Sequence, residues 1–137
     1  MNILITGIGG PTPRSIAASL RRRMPDVRVV GADCNPRALG FFMPGLVDQR
    51  VVLPRSDKGD EYFDALHELI EKEKIDYAIV QPESEVLAWG EWFEKHGRFP
   101  CPVVIPPAAY TRSRVNKGTM ADLLAGTNYI PKTVRIA

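Results

Sequence analysis

The chain has 137 residues, enough for one compact domain with a real core. Its 45% hydrophobic and 25% charged content is ordinary for a soluble globular protein, and a net charge of +2 is too small to argue for a nucleic-acid partner. No stretch approaches the length and apolarity of a membrane span, and the N-terminus lacks the basic and long apolar regions of a secretory leader, so the expectation is a soluble, cytoplasmic protein.

Residues 2–6 are a short apolar run ending at Gly7, as in a buried parallel strand. A helix is expected over 13–23, with Thr12 as cap, Pro13 at the first helical position and Ile16, Ala17 and Leu20 facing inward. Arg21, Arg22 and Arg23 close it as solvated cations suited to the helix dipole. Residues 27–33 form the second strand. Residues 35–45 hold two prolines and two glycines around Leu39, Phe41, Phe42 and Met43, and read as an irregular crossover or one short helix packed down by its aromatics.

Residues 50–53 give a brief third strand. Tyr62, Phe63, Leu66, Leu69 and Ile70 recur at helical spacing, which predicts an amphipathic helix over 60–74. Residues 76–81 form strand four. Val86, Leu87, Trp89 and Phe93 mark a helix ending near His96, with Gly97 as left-handed cap. Residues 102–105 form strand five. Strands alternating with helices predict a doubly wound α/β fold, a five-stranded parallel sheet in the order 3-2-1-4-5. A last helix follows, capped by Asn116, then a Gly-Thr-Asn turn and a strand over 133–136. A terminal strand without a partner leaves open backbone donors and acceptors, so the sequence reads as the front of a longer protein.

The turn Gly7-Ile8-Gly9-Gly10-Pro11-Thr12-Pro13 is the first candidate site. A dinucleotide fingerprint needs G-x-G-x-x-G, and residue 12 is threonine; Pro11 and Pro13 each remove a backbone donor a pyrophosphate would use. Gly9 and Gly10 can still approach a substrate closely. Asp33 ends strand two, where it would either hold a ribose hydroxyl or shape the Asp-Cys-Asn-Pro turn. Pro82-Glu83-Ser84-Glu85 follows strand four at the carboxyl edge of the sheet. Glu83 and Glu85 there either bind an amine or basic group or serve as first-turn acids of the next helix.

His67 and His96 lack partners at metal-ligand spacing, Trp89 and Trp92 read as packing residues, and no metal site or nucleophile–base pair is expected. Cys34 and Cys101, far apart and without C-x-x-C spacing, fit buried thiols in a reducing compartment. Lys117 opens the last helix, where a cation opposes the dipole, so it is either an exposed lysine or a cation with a role outside the helix.

Taken in order, Gly7-Ile8-Gly9-Gly10, Asp33-Cys34-Asn35-Pro36, Pro82-Glu83-Ser84-Glu85, Asn116-Lys117 and Tyr129-Ile130-Pro131-Lys132-Thr133 resemble the N-terminal, pre-ATP-grasp part of ATP-grasp ligases, above all those like the carbamoyl-phosphate synthase large subunit. The resemblance implies a pre-ATP-grasp domain over 1–113 and the start of an ATP-grasp domain over 114–137. It implies a complete protein that uses ATP and Mg²⁺ to activate a carboxylate as an acyl phosphate for attack by an amine. Lys117 would contact the nucleotide, and Gly9, Gly10, Glu83 and Glu85 would wall the substrate. The family's usual aspartate before that cation is Asn116 here. The 137 residues alone would be inactive, with no cofactor of their own. Two other readings stand beside this one: an NAD(P)-binding domain of a reductase or epimerase, and a non-catalytic binding module that pairs its last strand in a homodimer.

Overall fold

The computed structural model describes residues 1–129; the expected strand over 133–136 and the Pro131 motif lie outside them. Strands β1 (Asn2–Thr6), β2 (Arg28–Asp33), β3 (Gln49–Val52) and β4 (Tyr77–Ile79) form one sheet in the order β3-β2-β1-β4. All three pairings are parallel, with Leu4 opposite both Val30 and Ala78. Helices α1 (Pro11–Arg23), α2 (Asp60–Glu73), α3 (Glu83–His96), α4 (Ala108–Val115) and α5 (Lys117–Leu123) complete the described chain. The fold is α/β and Rossmann-like. None of the described helices is long and apolar enough to cross a membrane.

Both sheet faces are covered. Leu4, Val30 and Ala78 pack with Tyr62, Phe63, Leu66 and Leu69 of α2 and Trp89 of α3. On the opposite face Ile3, Ile5 and Val29 pack with Ala17 of α1 and with Phe41 of the crossover, which winds into a short 3-10 turn at Leu39–Phe42. The sheet is therefore buried on both sides, which is why β1 and β2 read as continuous apolar runs.

Several expectations shift. Helix α1 starts at Pro11, with Gly10 as N-cap and no side-chain cap, so Thr12 does not cap it. Pro11 takes the first position, and Pro13 is tolerated because the first turn has no intrahelical acceptor for its missing N–H. Residues 102–105 do not form a fifth strand but touch the sheet through one parallel bridge, Val103 to Ala78, with the Ala78 N–H donating to the Pro102 carbonyl at 2.9 Å. Pro100, Pro102, Pro106 and Pro107 crowd this segment and cannot donate to a ladder. Only Phe41 of the crossover aromatics turns inward; Phe42 is 60% exposed. Cys101 is buried as expected, but Cys34 is exposed, because the turn after β2 carries it outward.

Arg21 is not a solvated helix-end cation. Its guanidinium donates to the carbonyls of Val27 and Leu46 and to the Asp48 carboxylate, which also accepts the Val29 N–H at 2.7 Å. Burial pushes Asp48 up, but the Val29 N–H and the Arg21 contacts outweigh it and hold the carboxyl below its ordinary value. The pair fastens the end of α1 to the lead-ins of β2 and β3.

Candidate functional site at the carboxyl edge of the sheet

The carboxyl ends of β1 and β4 bring the glycine turn and the proline-acid motif together. Gly7 has φ of +64°, and a Cβ on it would stand 2.5 Å from Pro82 Cγ, so only glycine lets the two motifs meet. On the other flank the crossover closes down on the turn. A Cβ on Gly40 would lie 2.3 Å from the Ile8 carbonyl oxygen, and one on Gly9 would lie 3.1 Å from Ala38 Cβ.

The backbone donors of Ile8, Gly9 and Gly10 are engaged inside the domain. Ile8 N–H donates to the Ala32 carbonyl (3.1 Å), Gly9 N–H to Asp33 Oδ2 (2.9 Å), Gly10 N–H to the Gly7 carbonyl (2.8 Å) and Arg14 N–H to the Gly10 carbonyl (3.4 Å). Pro11 and Pro13 have no N–H to offer. Asp33 is turned onto the loop: its second oxygen accepts the Asn35 N–H at 2.9 Å, and Asn35 Oδ1 accepts the Arg37 N–H in turn. Its carboxylate shapes the turn, the second of its two sequence readings.

Glu83 and Glu85 share the first turn of α3 but face opposite environments. Glu83 is exposed and takes the Lys117 ammonium at 3.3 Å. Glu85 is 9% exposed and accepts the Tyr62 hydroxyl at 3.0 Å, while the Tyr62 oxygen accepts Trp89 Nε1–H at 3.0 Å. On the other side lies the Thr6 hydroxyl, whose Oγ1 accepts the Gln81 N–H at 3.4 Å. An indole N–H can only donate, so the Tyr62 hydroxyl must spend its proton on Glu85.

Burial pushes the Glu85 carboxyl above its ordinary value; the Thr6 and Tyr62 hydroxyls oppose that shift, and the charge of Asp33 adds to it. The same burial, with the Glu85 charge, pushes the Tyr62 phenol far up. Tyr62 and Thr6 were not legible as site residues, since Tyr62 falls on the apolar face of α2 and Thr6 closes an apolar strand. The four-residue spacing from Glu85 to buried Trp89 was the available signal that Glu85 faces the core.

Lys117 begins α5, and Asn116 caps it, accepting from the N–H groups of Gly118 (3.0 Å) and Thr119 (3.1 Å). The break between α4 and α5 falls at Asn116, beyond the expected domain boundary at 113. A groove of about 330 Å³ lies beside Glu83, between the end of β4, the start of α3, residues 104–106 and α4. Gly90 lets α4 come close: a Cβ there would be 3.0 Å from Ala108 Cβ.

His67 and His96 lie away from this edge, flanking Trp92, with the His96 ring stacked at 3.7 Å. Trp89 is fully buried and Trp92 stacks on Phe63 at 4.2 Å, so both tryptophans pack as expected. Among the described residues no group of three His, Cys, Asp or Glu side chains is placed to hold a metal ion.

No family model matches the chain, and no curated protein matches it. Among solved structures, a dTDP-glucose 4,6-dehydratase from Bacillus anthracis in complex with NAD matches with a TM-score of 0.55 and 11% identity. The match covers 88% of this chain and 49% of the dehydratase, so this chain spans about half of that protein's length. At that identity the likeness establishes the Rossmann-like fold.

Proposed function

We propose that the chain is the N-terminal α/β domain of an ATP-dependent carboxylate–amine ligase of the ATP-grasp type, similar to the carbamoyl-phosphate synthase large subunit. One observation carries the reading: Lys117 and Glu83, 34 residues apart, meet at the carboxyl edge with the ammonium 3.3 Å from the carboxylate. The closeness of the cation that the resemblance gives to nucleotide and the acid it gives to substrate supports the reading.

An ammonium there suits a phosphate oxygen. ATP, with Mg²⁺, would supply the phosphoryl group that activates the carboxylate. In this chain Lys117 binds and orients that nucleotide, Glu83 holds the ammonium at the sheet edge, and the Gly9–Gly10 turn walls the substrate. The lobes that grip nucleotide and metal belong to residues that follow this chain in the complete protein.

An NAD(P)-binding domain of a reductase or epimerase is the second reading, favoured by the fold likeness to a dehydratase bound to NAD. Against it stands the glycine turn, whose donors go to Ala32, Asp33 and Gly7. A dinucleotide also draws on N–H groups at the helix start, and there Pro11 and Pro13 have none.

Replacing Lys117 by alanine in the complete protein tests the proposal. A charged donor on phosphate contributes about 1.5–3 kcal/mol, so the ATP constant should rise roughly ten- to a hundredfold. Arg22→Ala, whose guanidinium reaches Ser19 far from the edge, should change nothing. An unaltered ATP constant in Lys117→Ala at saturating co-substrate makes Lys117 a surface lysine and removes the main support for the ligase assignment.

A further inference from the structure

The groove beside Glu83 has a chemistry of its own. Val80, Val86, Ile105 and Val115 line it with apolar surface. Tyr110 and Arg114 also line it, and the Arg114 guanidinium lies over the Tyr110 ring, 3.8 Å from its centre. Glu83 stands in its lining with Lys117 bound to it.

We infer that this groove seats a small carboxylic acid with an apolar body, its carboxylate taken by Arg114 beside the Glu83–Lys117 pair. The inference rests on the ligase reading and names the class of acid for that site. The groove's polar lining, Gln81, Glu83, Thr111 and Arg114, shares it with six apolar residues, Val80, Val86, Val104, Ile105, Pro106 and Val115, so a ligand with a polar head and an apolar body fits it better than one polar throughout. It rewards a hydrocarbon body at roughly 25 cal/mol per Å² removed from water, and its volume is at the small end of ligand pockets.

Charge selects the head group. Glu83 is engaged by Lys117 and the neighbouring Arg112 by Glu91 and Glu94, while among the described residues Arg114 has no carboxylate within ion-pair distance. Its positive charge favours an anion in the groove and repels an amine. The ring of Tyr110 holds the Arg114 fork flat, the geometry that matches a carboxylate.

Titration of the chain with hexanoate, followed by methyl NMR, tests the assignment. The methyls of Val80, Val86, Ile105 and Val115 should shift together and saturate in the millimolar range, about 4 kcal/mol of binding. Hexylamine at the same concentrations should leave them in place. Arg114→Gln should weaken hexanoate by roughly three- to tenfold, and Glu83→Gln should strengthen it by a similar factor. Both positions are on the surface, so an unchanged spectrum elsewhere shows that the variants fold.

Equal responses to hexanoate and hexylamine, no response to hexanoate, or an unchanged constant in Arg114→Gln overturns the inference. The ligase reading fails separately: it falls if Lys117→Ala leaves ATP binding intact, whatever hexanoate does.

Discussion

At Glu85 a carboxylate competes with the core it is buried in. The Thr6 and Tyr62 hydroxyls stabilise its charge, while burial and Asp33 oppose it, and the opposing effects win. A carboxyl whose folded value lies above its unfolded one favours the folded state in acid, and that contribution is lost as pH rises through the folded value. The thermal midpoint of the wild type minus that of Glu85→Gln should therefore fall between about pH 4 and about pH 8. A difference that grows with pH would mean that the hydroxyls outweigh burial.

Cysteine reactivity checks the same scale. Burial pushes the Cys101 thiol up to about 11, and the side chain is buried, whereas Cys34 is exposed. A maleimide should label Cys34 in the folded protein and reach Cys101 only on unfolding; equal rates would contradict the placement of Cys101 behind residues 102–105. The sequence revealed the acids at 83 and 85 but not their division of labour. A pattern of residue types places both in one helical turn, and only the packing of α3 against α2 turns one inward. Cys34 was misread for a related reason: its strand is buried, but the chain has already left the sheet.

Among the elements, the crossover between β2 and β3 decides what the glycine turn can do. Gly40 sits on the Ile8 carbonyl and Ala38 on Gly9, so two stretches of backbone pack against each other on one flank of the turn. Gly40→Ala should destabilise the domain by about 1–3 kcal/mol or more, because the new methyl meets a carbonyl that cannot move without shifting β1. Gly45→Ala meets nothing within 4 Å and has only its φ of +69° to overcome, about 1–2 kcal/mol. Urea unfolding of both variants checks this, and a Gly40→Ala protein as stable as wild type would contradict the packing.

The amphipathic helices and the buried strands were legible because their apolar residues recur at helix and strand periods. Helix α2 was placed over 60–74 and runs Asp60–Glu73. The start of α1 was misplaced because two prolines compete for the first position. The fifth strand was overcalled because Val103, Val104 and Ile105 suit a strand, while the prolines around them limit it to one bridge.

At the scale of the whole molecule, β1 and β4 meet at the carboxyl edge where open α/β sheets bind ligands. The fold was legible from the alternation of elements, and so was the edge, since the topology fixes where each loop emerges. The direction of each donor was not, because it depends on contacts between segments distant in sequence: Gly9 with Asp33, Gly7 with Pro82, Lys117 with Glu83.

The central claim, that the glycine turn is committed to packing rather than to nucleotide, is tested most directly by calorimetric titration of the 137-residue chain. NAD(H), NADP(H) and ATP should each bind at millimolar constants or weaker, no more than about 4 kcal/mol. A micromolar constant for NAD(H) or NADP(H) would contradict the account and favour the reductase or epimerase reading. A micromolar constant for ATP would place a complete nucleotide site within these residues.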